Sequence, residues 1–251
     1  MPASFYETRL FHWQEGEQPP TPTAAAPVIE MVTSPNNPDG LSRAPAVAPS
    51  PHTSTVMDYA YYWPHFVAIG APVAPPNRTV GLFTLSKLTG HASTRIGWAL
   101  TPDADVAAAM RRFVQVSTLG VPRESKSRAA TLLEHVNEHG GEILSFARDL
   151  MLGRWERLEA CFASSTSFSL QAREAASRDS WSAADGYAPS PAYAWIQQLD
   201  GGDATASMRA AGIVGRSGAK YGATDAYVRL ELLMREATFD VMLGKLCDLV
   251  Q

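Results

Sequence analysis

Short apolar runs rich in β-branched residues, each ending at a polar or glycine-containing turn, constrain the fold of this chain most strongly. Four runs have this form: Val28–Thr33, a run that ends at Val56 and Met57, Thr79–Thr84 and Ile96–Leu100. Runs of this length and composition, bounded by turn residues, are typical of buried strands. The first hundred residues are therefore predicted to form a sheet.

Helical periodicity takes over after the fourth run. Apolar residues recur every three to five positions, which places them on one face of each predicted helix. The predicted elements are helices over 106–116, 124–139 and 143–162, strands over 193–196 and 227–230, and a closing helix over 236–250. We interpret this as strands that alternate with helices throughout, which predicts an α/β fold.

Composition favours a soluble globular protein and argues against two classes of partner. The chain has 251 residues, of which 45% are hydrophobic and 18% charged, as in ordinary globular domains. A net charge of −4 and a pI of about 5.9 argue against nucleic-acid binding. No apolar run approaches the roughly 20 residues that span a bilayer, and no signal peptide is seen. Cys161 and Cys247 are therefore expected to be reduced, buried thiols in a cytoplasmic protein.

Polar residues suited to chemistry stand directly after the predicted strands. Asn37 lies in the turn Ser-Pro-Asn-Asn-Pro-Asp-Gly over residues 34–40, and Asp58 follows the second strand among aromatic residues that include Tyr61. In open α/β sheets ligands bind at the carboxyl ends of strands, so we interpret these residues together. Taken singly, each also fits an ordinary turn, a helix cap or a local salt bridge.

The stretch that follows the third strand holds a lysine among hydroxyl and small residues. Lys87 has no acidic neighbour in the sequence, so burial would favour its neutral, nucleophilic amine. Arg95, eight residues later, is suited to clamp an anion, with hydroxyl groups of Thr84 and Ser86 adding hydrogen bonds. A solvated surface lysine is the alternative interpretation.

Arg229 occupies a strand position in Tyr-Val-Arg-Leu-Glu-Leu over residues 227–232. An arginine that points inward from a strand usually pairs with a carboxylate. That carboxylate is either structural, such as Glu231, or part of a substrate.

A competing motif occurs near the end of the second predicted helix. His135, Glu138 and His139 fit the pattern H-x-x-E-H of one class of zinc peptidases. Two histidines four residues apart on a helix are able to hold zinc. Because Gly140 and Gly141 end the helix at this point, a rigid metal-binding face is not expected and no metal is predicted.

As a set, these motifs resemble the fold-type I transaminases that use pyridoxal 5'-phosphate (PLP), and most closely the plant alliinase and tryptophan-aminotransferase family. The resemblance extends from about residue 5 to the end of the chain. It is carried by residues 34–40, 58–65, 86–100, 120–125, 190–195 and 227–230.

The resemblance implies an aspartate-aminotransferase-like α/β fold. Residues 1–142 would be the remainder of the PLP-binding large domain, with an incomplete sheet. Residues 143–251 would be a linking helix and a small C-terminal α/β domain. Family members carry, before the matched part, a segment with a glycine-rich phosphate loop, an aromatic residue that stacks on the cofactor, and several strands.

The resemblance also implies a role for each candidate residue. Lys87 would hold PLP as a Schiff base and move the Cα proton, and Asp58 would pair with the ring nitrogen. Asn37 and Tyr61 would bind the ring hydroxyl. Arg95, with Thr84 and Ser86, would bind the phosphate, and Arg229 would bind the substrate α-carboxylate.

The function implied is transfer of the amino group of an L-amino acid, of an aromatic type such as tryptophan, to a 2-oxo acid. Two alternatives stay open. One is an alliinase-type carbon–sulfur lyase acting on S-alkyl-cysteine sulfoxides, and the other is an inactive fragment that folds poorly or binds PLP weakly. The expected partners are a small amino acid and a 2-oxo acid, with no nucleic acid and no membrane, in a homodimer.

Overall fold

The computed structural model describes residues 11–14, 19–69, 75–139, 141–175 and 188–251, and these contain two four-stranded sheets. Gly140, part of the predicted helix stop, lies outside these residues. The strands are β1 (Val28–Thr33), β2 (Thr53–Asp58), β3 (Thr79–Thr84), β4 (Gly97–Leu100), β5 (Phe168–Leu170), β6 (Tyr193–Gln198), β7 (Arg216–Ser217) and β8 (Tyr227–Glu231). The α-helices are α1 (Leu85–Leu88), α2 (Ala104–Ser117), α3 (Arg123–Glu138), α4 (Glu142–Phe162), α5 (Ala204–Ala210) and α6 (Glu236–Val250).

The first sheet has the order β1-β2-β3-β4. β1, β2 and β3 run parallel, and β4 is antiparallel to β3. In the register of these strands Thr33 lies beside Asp58, and Asp58 lies beside Leu82. The carboxyl ends of the three parallel strands therefore reach the same edge of the sheet.

The prediction that strands alternate with helices throughout is wrong for this sheet. β1 is joined to β2 by residues 34–52, which form turns and loop, and the described part of the link from β2 to β3 also contains no helix. Both links are rich in proline, which lacks the backbone N–H that a helix interior needs. In the described residues, the parallel strands are thus connected without helices.

The second sheet has the order β5-β6-β8-β7, and all of its strands are antiparallel. Helices α4 and α6 cover it through fully buried side chains, among them Trp155, Leu158, Phe239 and Leu246. The indole N–H of Trp155 donates a hydrogen bond of 2.8 Å to the carbonyl of Pro191. The main core of the described residues lies between this sheet and the two helices.

Sequence periodicity missed four of these elements, namely α1, β5, α5 and β7. β5 has only three residues, too few for a periodic pattern. α5 has seven residues, and its capping residue Asp203 accepts a hydrogen bond of 2.9 Å from the N–H of Ala206. An aspartate before a short run of helix-forming residues is a recognised helix-start signal, so α5 was open to prediction.

The two cysteines correct the expectation of reduced, buried thiols. Cys161 on α4 and Cys247 on α6 have Cα atoms 5.2 Å apart and are joined by a disulfide. Both side chains are only partly buried. The partners are separated by 86 positions in the sequence, so only the packing of α4 against α6 shows that they meet.

None of the helices in the described part of the chain is long and apolar enough to cross a membrane.

The turn after β1 packs directly against the segment before β6. Gly40, in this turn, has φ of +69°, and a Cβ atom placed on it would lie 2.3 Å from Cβ of Pro191. The Gln171 side chain also donates a hydrogen bond to the carbonyl of Asp39. Glycine is required here both by the left-handed backbone and by the close approach of Pro191.

Replacement of Gly40 by alanine is expected to lower the free energy of unfolding more than the same change at Gly201. Gly201 has φ of +80°, but a Cβ atom added there would have no heavy atom within 4 Å. Its replacement by alanine therefore measures the cost of backbone strain alone, about 1 kcal/mol. The clash with Pro191 adds about 1–3 kcal/mol. Urea unfolding of both variants measures the difference, and equal losses would contradict the proposed contact.

Candidate active site

The predicted site residues gather where the parallel strands of the first sheet end. Asn37 lies in the turn after β1, Asp58 is the last residue of β2, and Lys87 lies in the short helix that directly follows β3. The edge formed by the carboxyl ends of parallel strands is where open α/β sheets bind ligands.

Local hydrogen bonds fix the position of Lys87. The Thr84 hydroxyl caps α1 by accepting a hydrogen bond of 3.2 Å from the N–H of Ser86, and Leu85 and Leu88 are buried beneath the turn. The Lys87 ammonium nitrogen lies 5.3 Å from the centre of the Tyr61 ring. The amine is therefore presented over the face of an aromatic ring at the strand edge.

His65, which was not predicted as a site residue, is hydrogen-bonded to the same turn. Its Nε2 donates a hydrogen bond of 2.8 Å to the carbonyl oxygen of Lys87. The imidazole is 4% exposed, and burial lowers its pKa to about 4, although the bond to the Lys87 carbonyl acts in the opposite direction. His65 is therefore neutral at pH 7 and acts as a donor to the backbone of Lys87.

Asp58 carries a half-buried carboxyl group. Its Oδ1 accepts a hydrogen bond of 3.0 Å from the N–H of Ala60, and it forms no ion pair with any described residue. Burial raises its pKa, while the bond from Ala60 opposes that rise. A cationic group placed beside this carboxylate would gain electrostatic stabilisation.

Arg229 brings the second sheet to the same site. Its side chain is 5% exposed, and Nη1 donates a hydrogen bond of 2.8 Å to the side-chain oxygen of Asn37. Its Nε is buried and has no hydrogen-bond partner among the described residues. Glu231, considered as a structural partner, is exposed and forms no ion pair in the described part of the chain.

Two tyrosines that the sequence did not single out surround this guanidinium. Its central carbon lies 3.8 Å from the ring centre of Tyr193 and 5.1 Å from that of Tyr221. The hydroxyl of Tyr193 is hydrogen-bonded to the hydroxyl of Tyr61. Burial raises the pKa of Tyr61, the neighbouring Tyr193 raises it further, and the charge of Arg229 lowers it. The sequence offered one signal that Tyr193 is placed on the face that carries aromatic residues. Tyr193 and Trp195 alternate along β6, and residues two apart share one face of a strand.

The three residues predicted to hold a phosphate lie along one stretch of chain but have different surroundings. Thr84 caps α1 as described, and the Ser86 hydroxyl makes no hydrogen bond with the described residues. Arg95 is exposed, has φ of +53°, and donates from Nη1 to the carbonyl of Ala92 at 2.9 Å. Arg95 is thus held by a hydrogen bond within its own stretch of chain. Asn37 and Arg229, by contrast, are joined by a hydrogen bond between distant parts of the chain.

The histidine motif lies apart from this set of residues in the sequence. His135 and His139 are exposed near the end of α3, with ring centres 4.0 Å apart. No group of three or more histidine, cysteine, aspartate or glutamate side chains that is able to hold a metal ion occurs among the described residues.

The sequence model of a protein family named for the C-terminal part of alliinase, with the description allinase, matches residues 2–250 of this chain. The chain belongs to the alliinase family. The resemblance seen in the motifs is therefore confirmed over nearly the whole sequence.

Relatives of this alliinase-family chain include transaminase-related proteins and lyases. It is 40% identical over 226 residues to tryptophan aminotransferase-related protein 4 of Arabidopsis thaliana, covering 89% of this chain and 48% of the relative. It is 31% identical over 232 residues to alliin lyase 2 of Allium sativum, covering 89% of this chain and 48% of that protein. The chain spans about half the length of the curated relatives it matches.

Solved structures with the same architecture confirm the predicted aspartate-aminotransferase-like fold of this family member. An aspartate aminotransferase from Thermus thermophilus with maleate has a TM-score of 0.66 at 20% identity, covering 90% of this chain and 58% of that one. An aminotransferase from Staphylococcus aureus has a TM-score of 0.64 at 19% identity, covering 88% of this chain and 58% of that one. At these identities the likeness shows the fold alone.

Proposed function

We propose that this chain is the catalytic part of a PLP-dependent transaminase that moves the amino group of an L-amino acid, of an aromatic type such as tryptophan, to a 2-oxo acid. The observation that carries this proposal is the placement of the Lys87 amine over Tyr61 at the strand edge that also holds Asp58. Arg229, bonded to Asn37, supplies a cation beside the same group of side chains.

The side chains present fit the proposed cofactor. Asp58 carries a half-buried carboxyl group without a cationic partner in the described chain, as expected of a group that faces a protonated ring nitrogen. The Ser86 hydroxyl has donor capacity available near Arg95 for a phosphate. When bound, PLP supplies an electron sink that makes the Cα proton of an amino acid removable.

The chain's own residues would hold the cofactor and move the proton. Lys87 would attach the cofactor covalently through Nζ, and its amine, once free, would take the Cα proton and deliver it to its new position. Asn37 and Tyr61 would bind the ring hydroxyl. Thr84, Ser86 and Arg95 would hold the phosphate.

Arg229 would bind the substrate α-carboxylate. It is a nearly fully buried cation whose Nε has no hydrogen-bond partner in the described part of the chain. A buried donor without a partner costs stability, and a carboxylate in the plane of the guanidinium would satisfy it. Such pairs are often bidentate, which orients the ligand.

A carbon–sulfur lyase acting on S-alkyl-cysteine sulfoxides is the second candidate, because relatives named alliin lyases match at 31% identity. Lyase and transaminase would share the same first step at Lys87. The stronger match to a tryptophan aminotransferase-related protein, at 40% identity, favours the transaminase. An inactive chain is the third candidate, and it predicts that PLP does not label Lys87.

We also propose the arrangement of the whole molecule. Residues 1–142 would be the cofactor-binding part, and residues 143–251 the linking helix and small domain. The complete protein would be a homodimer that binds an amino acid and a 2-oxo acid as its small-molecule partners.

Mapping of the labelled lysine tests this proposal directly. The chain contains four lysines, at positions 87, 126, 220 and 245. After incubation with PLP and reduction with borohydride, peptide mass spectrometry is expected to find the cofactor on Lys87 alone. The other three lysines serve as internal controls. Label spread over all four, or absent from all four, would contradict a built cofactor site in this chain.

A product assay then separates the two reactions. A transaminase is expected to convert L-tryptophan to its 2-oxo acid only when a 2-oxo acid acceptor is present. A lyase is expected to release pyruvate from an S-alkyl-cysteine sulfoxide without an acceptor. Pyruvate release with no transfer from tryptophan would replace the first candidate by the second.

A further inference from the structure

The guanidinium of Arg229 is held by aromatic faces as well as by Asn37. Trp195 on β6 lies directly opposite Arg229 on β8, and Tyr193 lies opposite Glu231. Tyr193 is therefore the diagonal neighbour of Arg229 on the same face of the sheet, which is within reach of a long side chain. The resulting separation of 3.8 Å between guanidinium carbon and ring centre is a close cation–π contact.

Tyr193 is itself fixed at its other end. Its side chain is buried, and its hydroxyl is hydrogen-bonded to that of Tyr61. The two rings meet edge to face with centres 5.4 Å apart. Tyr61 in turn carries the Lys87 amine over its own ring. A continuous line of contacts thus runs from Arg229 through Tyr193 and Tyr61 to Lys87.

We propose that Tyr193 is a positioning residue for substrate binding: its ring face holds the Arg229 guanidinium in its carboxylate-binding orientation. This assignment rests on the proposed function for its catalytic meaning. It extends that function by naming the residue whose ring orients the carboxylate-binding cation.

The contacts explain why an aromatic residue is needed at this position. The Arg229 cation is nearly fully buried and forms no ion pair among the described residues, so the ring face supplies part of the stabilisation that water would give. An aliphatic side chain would fill the space without attracting the charge. Phenylalanine would keep the ring face and lose only the bond to Tyr61.

The test compares Tyr193→Leu, Tyr193→Phe and a matched control, Tyr227→Leu. Tyr227 stacks on Trp195 with ring centres 5.2 Å apart and lies on the same face of β8 as Arg229. Its substitution therefore removes an aromatic ring from this face but leaves the contact between Tyr193 and Arg229 in place.

The first measurement needs no cofactor. The side-chain Nε–H proton of Arg229, identified by the loss of its NMR signal in Arg229→Lys, is expected to be shifted upfield by the Tyr193 ring. The shift is expected to persist in Tyr193→Phe and Tyr227→Leu and to decrease in Tyr193→Leu, where only the more distant ring of Tyr221 remains over the guanidinium. A wild-type signal without this shift, or one that Tyr193→Leu leaves unchanged, would overturn the assignment whatever the cofactor does.

The second measurement compares KM and kcat of the PLP-loaded variants with those of the wild-type chain. Tyr193→Leu is expected to raise KM for the amino acid at least about tenfold, the equivalent of a cation–π contact of about 1.4 kcal/mol, with borohydride labelling of Lys87 retained. Tyr193→Phe is expected to stay within about threefold of wild type, a rescue by the conservative residue.

The outcomes separate the two proposals. An unchanged KM in Tyr193→Leu, or an equal rise in Tyr193→Phe, would overturn the positioning role of the ring. A wild-type chain that fails to label at Lys87 would instead remove the proposed function. The NMR arm would then still decide whether Tyr193 holds Arg229.

Discussion

Replacement of Lys87 by alanine is expected to abolish both the permanent attachment of PLP by borohydride and the catalytic reaction. The Lys87 amine lies over the Tyr61 ring at the strand edge, and its loss would remove the group proposed to move the Cα proton. General acid–base catalysis by a positioned side chain contributes at least about a hundredfold to rate. The visible absorption of the PLP-loaded chain, read before and after borohydride, measures the first effect, and substrate turnover measures the second.

Lys126→Ala is the matched control for this experiment. Lys126 is exposed on α3, so its removal is expected to leave the absorption band and turnover unchanged. Lys87→Ala should also fold normally, because its side chain makes only the contact with the Tyr61 ring in the described structure. A Lys87→Ala chain that keeps a band fixed by borohydride would show that another lysine holds the cofactor.

Acidification is expected to destabilise the chain through His65. Its pKa is about 4 in the folded chain, below the ordinary value of 6.5, because burial disfavours the charged ring. As pH falls below about 6.5 the unfolded chain binds the proton first, so stability present above that pH is lost progressively down to about pH 4. The shift corresponds to a loss on the order of 3 kcal/mol.

His65→Gln isolates this contribution. Glutamine retains an N–H that is able to donate to the Lys87 carbonyl but does not titrate, so its free energy of unfolding should fall less between pH 7 and pH 4. His135→Gln, at an exposed position of α3, is expected to keep the wild-type pH dependence. Urea unfolding of the three proteins across this range gives the comparison. Identical slopes for His65→Gln and wild type would contradict the assigned role.

The strands and long helices of this chain were predictable because their patterns are local. β1, β3 and α6 begin and end where their apolar runs do. The predicted apolar face of α4 is buried from Met151 onward, whereas Phe146 is exposed. The alternation of strands with helices was wrong for the first sheet, because a strand pattern does not show whether a loop or a helix makes the next connection. The short elements β5 and α5 are below the length at which periodicity is visible.

The candidate site divides in the same way. Asn37, Asp58, Lys87 and Arg229 were identifiable because each stands in a motif at a strand end or on a strand. Tyr193 and His65 were not, because their importance comes from partners far away in the sequence. Tyr193 meets Tyr61 across 132 positions, and His65 meets Lys87 across 22.

The sequence by itself therefore determined the family and the secondary structure of the long elements, and it predicted the residues proposed for cofactor chemistry, because all of these depend on local residue order. Only the tertiary structure decided the bond between Asn37 and Arg229, across 192 positions, and the disulfide between α4 and α6. The physical reason is that these contacts arise from the packing of separate elements against each other, which neither periodicity nor spacing along the chain encodes.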